Sequence, residues 1–260
     1  MSEDVHPRAD ELDDLSAYEL VALMHAEDHI AVSSLAPALD DIARAVDLIA
    51  DRLRAGGRLH YFGAGTSGLI AAMDAAECPD TFGVSAETVQ AHIATAAADE
   101  DDRALGLDKA REARITPSDV VVGISASGRT RFVIGALEEA TARGAATVAV
   151  TCSSLARMGR GADVAIEVDT GPEVIAGSTR LKAGTVQKLV LNMLSTAAFT
   201  RLGHTHRGRM VGVVASNDKL RTRAAKIVAD LSGVSLEEAR RRLDEAGGDV
   251  RAALAAARRA

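Results

Sequence analysis

The chain has 260 residues, enough for one large domain and a small appendage. It is 47% apolar but only 2% aromatic, with no Trp, so its core must be built from Ala, Val, Leu and Ile. A net charge of −7 argues against a nucleic-acid partner, no apolar run reaches membrane-spanning length, and two cysteines, Cys78 and Cys152, without metal-ligand spacing fit a reducing cytoplasm.

The start, MSEDVHPRADELDD, is polar and acidic and does not read as a signal peptide, so a cytoplasmic location is expected. Leu20 to Met24 reads as a short helix. A longer one is expected over Leu35 to Arg54, where Leu39, Ile42, Val46, Ile49 and Leu53 recur at helical spacing until Gly56-Gly57. RLHYFG reads as a strand, followed by a glycine loop and a helix, SGLIAAMDAAE, ending before Pro79. TVQAHI reads as a second strand, and ADEDDRALGLDKA as an acidic helix start. DVVVGIS is a continuous apolar run of the kind buried parallel strands use. TRFVIGALEEATARG is a helix closed by Gly144. AATVAVT and ADVAIEV are strands, and GTVQKLVLNMLSTAAFTRLG is a long helix. Strands alternating with helices imply a doubly wound parallel sheet covered on both faces.

After Asn217 the pattern is helical only. Ser235 and Glu238 form a capping-box pair, and Gly247-Gly248-Asp249 ends one helix and caps the next. The expected division is a main domain over 1–216 and a helical module over 217–260. This tail resembles the small three-helix modules related to ubiquitin-associated domains, and is read as a helical cap or a dimer contact. Arg240-Arg241-Arg242 lies among Glu237, Glu238, Asp244 and Glu245, as on a solvated helix face. His60, His204 and His206 have no visible partners and read as structural or exposed.

Gly63 to Gly68 fits the dinucleotide pattern G-x-G-x-x-G, a weak signal by itself. A dinucleotide site also needs an acid near the end of the next strand, for the ribose. That strand ends in Ala94-Thr95-Ala96, and the cluster Asp99 to Asp102 comes too late. A related loop follows DVVVGIS and supplies Ser125, Ser127, Arg129 and Thr130. Two strand ends that offer hydroxyls and backbone N–H groups at helix N-termini suit a compact anion such as a sugar phosphate. Neighbouring parallel strands would bring both loops to one sheet edge.

The two loops resemble those of the sugar isomerase domain. GPEVIAGSTRLKAGTVQKLVLNMLST, Gly171 to Thr196, resembles the signature shared by the N-acetylmuramic acid 6-phosphate etherases and the glucokinase regulatory protein. GAGTSG, DAAECPDTFGV, ITPSDVVVGISASGRT and VVASNDKL are also similar to the etherases, and the likeness runs from about Leu15 to about Arg223. It implies a sugar isomerase domain that cleaves the lactyl ether of N-acetylmuramic acid 6-phosphate by elimination and hydration. The products would be N-acetylglucosamine 6-phosphate and D-lactate, with no cofactor or metal. It maps two catalytic glutamates onto Glu77, in DAAECP, and Glu100. Substrate binding falls to Gly65, Thr66, Ser67, Ser125, Ser127, Gly128, Arg129, Thr130, Glu173, Ser178, Arg180 and Lys182.

A helix C-terminus disfavours a carboxylate, so Glu77 would suit an acid; a helix start favours one, so Glu100 would suit a base. The chain departs from the etherase pattern at Leu69 (usually Arg), Arg209 (usually Asn) and Gly212 (usually Asp). It also has a shorter segment before Glu100 and an abbreviated C-terminal part. The resemblance implies a homodimer. So does the helix over Ala183 to Leu202, which Val186, Leu189, Val190, Leu191, Met193 and Leu194 nearly encircle. A non-catalytic phosphosugar-binding regulator and a phosphosugar isomerase are the alternative readings.

Overall fold

A computed structural model describes residues 4–153, 158–213 and 218–257. The expected domain boundary and half of the VVASNDKL motif fall on 214–217, outside the described residues.

Ser16 opens the first helix, α1 (Ala17–Ser33), through a reciprocal capping box with Glu19. The helix is much longer than the short one expected at Leu20 to Met24. Pro37 sits in a short 3-10 turn, after which α2 (Leu39–Arg54) follows the expected apolar spacing. The strands are β1 (Leu59–Ala64), β2 (Val89–Ala94), β3 (Val120–Ser125), β4 (Ala146–Thr151) and β5 (Val164–Glu167). Between them run α3 (Gly65–Phe82), α4 (Ala97–Glu100), α5 (Arg103–Glu112) and α6 (Arg131–Ala142), and α7 (Lys182–Arg201) follows β5.

The sheet is wholly parallel, in the order β2-β1-β3-β4-β5. Side chains alternate along its strands. Leu59, Tyr61, Val120, Val122, Val148 and Val150 pack towards α2, α3 and α7. Phe62, Val121 and Ala149 pack towards α5 and α6. Helices thus cover both faces, and all but a few core side chains are aliphatic.

α3 does not stop before Pro79. A proline inside a helix removes its own N–H bond, but the next turn buries Phe82, which stacks on Phe199 at 4.6 Å. Gly83 ends the helix in the left-handed conformation, φ 65°. A Cβ on Gly83 would stand 1.5 Å from the Gly212 carbonyl oxygen, and one on Gly212 would stand 2.1 Å from the Phe82 oxygen. This close backbone approach gives a physical reason for Gly212.

A small hairpin, β6 (Thr205–His206) and β7 (Arg209–Met210), precedes the tail, beyond what the sequence pattern predicts. Arg207 and Gly208 both have positive φ, as tight hairpin turns require. The tail comprises α8 (Asp218–Ser232), α9 (Leu236–Glu245) and α10 (Val250–Ala257). It has its own apolar cluster, joined by Val211 and Val213. Ser235 caps α9 by accepting from the Glu238 N–H, but the Glu238 carboxylate turns to Arg241 and Arg242. The arginine run is therefore largely paired on its own helix.

Candidate functional site

The strand order reverses between β1 and β3, which lie side by side with Gly63 opposite Ile124. In open α/β sheets ligands bind at this crevice, beyond the strand C-termini. Both hydroxyl-bearing loops emerge there. The first turns directly from β1 into α3. Gly63 and Gly68 let it fold tightly: a Cβ on Gly68 would meet the Gly63 oxygen at 2.8 Å and Ile93 Cγ2 at 2.5 Å. No side chain caps α3 or α6, so the first-turn N–H groups of both helices are open to an anion.

The second loop is braced from within. The Gly128 N–H donates to Ser125 Oγ at 3.0 Å, and Ser125 Oγ meets Thr130 Oγ1 at 2.8 Å. Thr130 Oγ1 in turn donates to Glu100 Oε1 at 3.1 Å. A row of donors thus runs across the loop to Glu100, which accepts. Ser125 and Thr130 are buried and committed to this brace. Ser67 is buried in the first turn of α3. Thr66 and Ser127 remain half-buried, while Gly65 and Arg129 are exposed at the same edge. Glu100 does not open a long helix as expected. It closes the single turn α4, and Asp102 caps α5 instead, accepting from the Leu105 N–H at 3.0 Å.

Two further expected ligands have other employment. Glu173 is fully buried and accepts from the N–H groups of Lys182 at 3.0 Å and Ala183 at 2.9 Å, anchoring the start of α7. The Lys182 ammonium, also buried, pairs with Glu27, whose other oxygen lies 3.2 Å from His6 Nε2. Burial works to raise the Glu27 carboxyl, but bonds from Lys182 and His6 outweigh it and hold it below its ordinary value. Both residues shape the rim, since Gly184 on the first turn of α7 approaches Thr66. Ser178 is half-buried and Arg180 exposed on the segment leading into α7.

Glu77 is not among these groups. It lies twelve residues after Gly65 on α3, about 18 Å along the helix axis. Nor does it end the helix, which continues to Phe82. It lines a separate groove of about 360 Å³ between α3 and α7, with Met73, Asp74, Lys188 and Asn192. Asp74 is buried there, accepting from Tyr61 Oη at 2.9 Å and Ser195 Oγ at 3.1 Å. Burial pushes its carboxyl above the ordinary value against both bonds.

Lys188, Asn192 and Asp74 line the groove beside Glu77 and are candidates that sequence reasoning misses. Lys188 and Asn192 lie inside the Gly171 to Thr196 stretch, four residues apart, the spacing of neighbours on one helix face. Cys78 and Cys152 are buried and free, and burial pushes each thiol up to about 12, so neither is a nucleophile at neutral pH. His60 and His204 do have partners: His60 Nδ1 lies 3.1 Å from His92 Nε2, and His204 Nδ1 lies 2.7 Å from the Phe82 oxygen. Among the described residues no cluster of His, Cys, Asp or Glu could hold a metal ion, and no helix is long and apolar enough to cross a membrane.

The SIS domain family model matches residues 31–152, which contain both loops. Among solved structures, a putative phosphosugar isomerase from Bacteroides fragilis covers 74% of this chain and 95% of its own, with TM-score 0.59 and 20% identity. A phosphoheptose isomerase from Neisseria gonorrhoeae covers 71% of this chain and 100% of its own, with TM-score 0.53 and 20% identity. These likenesses show the fold. Closer relatives are named N-acetylmuramic acid 6-phosphate etherase. The one from Symbiobacterium thermophilum is 49% identical over 95% of this chain and 84% of its own. That from Mycolicibacterium smegmatis is 43% identical over 96% and 95%. With identity of this order along nearly its whole length, the chain belongs to the N-acetylmuramic acid 6-phosphate etherase family, built on a SIS domain.

Proposed function

We propose that this protein is a carbon–oxygen lyase that cleaves the D-lactyl ether of N-acetylmuramic acid 6-phosphate. The observation that carries this reading, beyond family membership, is Glu100 bonded to Thr130 at the mouth of the two-loop crevice. The phosphate sits on the open N-termini of α3 and α6, beside Thr66, Ser127 and Arg129. Ring opening gives an aldehyde at C1, which acidifies the C2 proton. Glu100 takes that proton. The C3–O bond then breaks, its electron pair leaves with the lactate oxygen, and Glu77 protonates that oxygen. Water adds across the C2–C3 double bond, returning a hydroxyl to C3 and a proton to C2.

Glu77 cannot serve the crevice of its own chain, because about 18 Å of helix separates them, more than an extended hexose spans. A homodimer resolves this, with the α3–α7 groove of one copy facing the crevice of the other. Leu69, Met73 and Glu77 recur every fourth residue, so they share one face of α3. Leu69 is 66% and Met73 45% exposed, an apolar stripe leading to Glu77. The apolar girdle of α7 gives weaker support, since α1, α2 and α3 already cover Val186, Val190, Leu191 and Leu194. A cytoplasmic place in amino-sugar catabolism during peptidoglycan recycling follows from this substrate, and we divide the chain into a sugar isomerase domain (1–216) and a helical module (217–260).

The test is incubation with N-acetylmuramic acid 6-phosphate and an enzymatic assay for D-lactate. Equal amounts of D-lactate and N-acetylglucosamine 6-phosphate are expected. An intact substrate after prolonged incubation would refute the reading.

A further inference from the structure

The groove that holds Glu77 also holds Lys188, half-buried on α7. The two neighbouring cations of this helix differ sharply. Lys182 is buried and neutralised by Glu27. Lys188 has no carboxylate at ion-pair distance among the described residues; its ammonium donates to the neutral Oδ1 of Asn192, one turn further on. Asp74 lines the same groove and feels the charge of Lys188, but its two oxygens are engaged by Tyr61 and Ser195. The groove therefore offers a cation with donor capacity to spare. The amide nitrogen of Asn192 supplies further donors, since its oxygen is the atom turned to Lys188.

We propose that Lys188, aided by Asn192, binds the carboxylate of the lactyl group and so selects ethers that carry an acid. This rests on the etherase reading and on Glu77 as the acid that protonates the ether oxygen. The lactyl carboxylate stands two bonds from that oxygen. A groove that presents Glu77 to the oxygen therefore meets the carboxylate immediately beside it, and Lys188 is the lysine or arginine lining that place. An ammonium gains from a carboxylate the attraction of an opposite full charge as well as the hydrogen bond, and a neutral carboxamide offers only the hydrogen bond. The phosphate loops, by contrast, bind the other end of the sugar and do not distinguish the two.

The experiment compares N-acetylmuramic acid 6-phosphate with its lactamide analogue, in which the carboxylate is a carboxamide. Wild-type protein should prefer the acid in kcat/KM by at least about tenfold, the scale of one charged hydrogen bond. In Lys188→Met that preference should collapse towards unity, and Lys188→Arg should restore most of it. A wild-type protein that cleaves acid and amide equally overturns the proposal without any variant. So does a Lys188→Met protein that is active and keeps the full preference. Absence of lactate release from the acid by wild-type protein would instead sink the etherase reading itself.

Discussion

Acidification should weaken the fold well above the range in which its carboxyl groups titrate. His60 on β1 and His92 on β2 lie in hydrogen-bond contact, and His92 stacks on Phe62 at 4.4 Å. Burial drives the His60 pKa down to about 4, with His92 and Arg58 adding to the effect and Asp119 opposing it. His92 also falls to about 4, from burial first and then from Lys109 and Arg58, with Glu112 opposing. The folded state therefore holds fewer protons than the unfolded chain between pH 6.5 and about 4. This contribution is fully present above pH 6.5 and is lost as pH falls towards 4. Between pH 7 and pH 5 each histidine should cost roughly 2 kcal/mol, and the pair roughly 4 kcal/mol. His204, lowered mainly by burial, adds in the same direction. Asp119 does not contribute in this window. Burial works to raise it, but bonds from Arg58 and Thr116 hold it below its ordinary value, so its stabilisation is lost only at lower pH. Urea denaturation at pH 7, 6 and 5 measures the loss. His92→Gln keeps a neutral hydrogen-bonding group and removes one titrating ring, so the loss should fall by about half. Stability that stays flat from pH 7 to pH 5, or a His92→Gln variant with the full wild-type loss, would refute the reasoning.

Glu173→Ala leaves two buried N–H groups without an acceptor at the start of α7, and should lower unfolding free energy by about 3 kcal/mol; an unchanged denaturation midpoint would mean that α7 is anchored otherwise. Ser127→Ala and Arg129→Ala should each raise KM by at least about tenfold while kcat moves much less, and the opposite pattern in steady-state kinetics would remove them from phosphate binding. Glu100→Gln should abolish exchange of the C2 proton of N-acetylglucosamine 6-phosphate in deuterated water, whereas Glu77→Gln should block lactate release and leave exchange in place, each loss being at least about a hundredfold. Exchange that fails in Glu77→Gln and survives in Glu100→Gln, followed by NMR, would reverse the two roles.

Much of the sheet is legible because β3 and β4 are continuous apolar segments rich in valine. DVVVGIS and AATVAVT are buried on both faces, and nothing but a central strand accommodates them. The two loops are legible because glycine and hydroxyl residues sit directly after a strand and before a helix in both. Helix ends are harder to read. The box Ser16-Glu19 announces α1, yet the helix carries apolar residues on all sides, which hides its periodicity. Pro79 reads as a terminator, but burial of Phe82 against Phe199 outweighs one lost hydrogen bond. The hairpin around Arg207-Gly208 has strands of only two residues, too short for any alternation to register. Within the site, residue type does not separate ligands from supports. Glu173 and Lys182 look like binding groups in a motif, but they close a helix terminus and a buried ion pair, and both partners of Lys182's network, Glu27 and His6, lie far away in sequence. The distance of Glu77 from the crevice is a property of helix length, since twelve residues of α3 separate it from Gly65.

Whether one catalytic centre draws its two glutamates from different copies is tested most directly by mixing defective chains. Glu77→Gln and Glu100→Gln are each inactive as homodimers on this account. Co-expressed with different tags, they form mixed dimers in which one crevice receives both intact glutamates and the other receives neither. With random pairing half the dimers are mixed, so lactate release should recover to about a quarter of the wild-type rate, and to about half in purified mixed dimers. If each chain instead supplied both glutamates to its own crevice, every site in the mixed dimer would carry one defect. Mixed dimers as inactive as the parents would contradict the account.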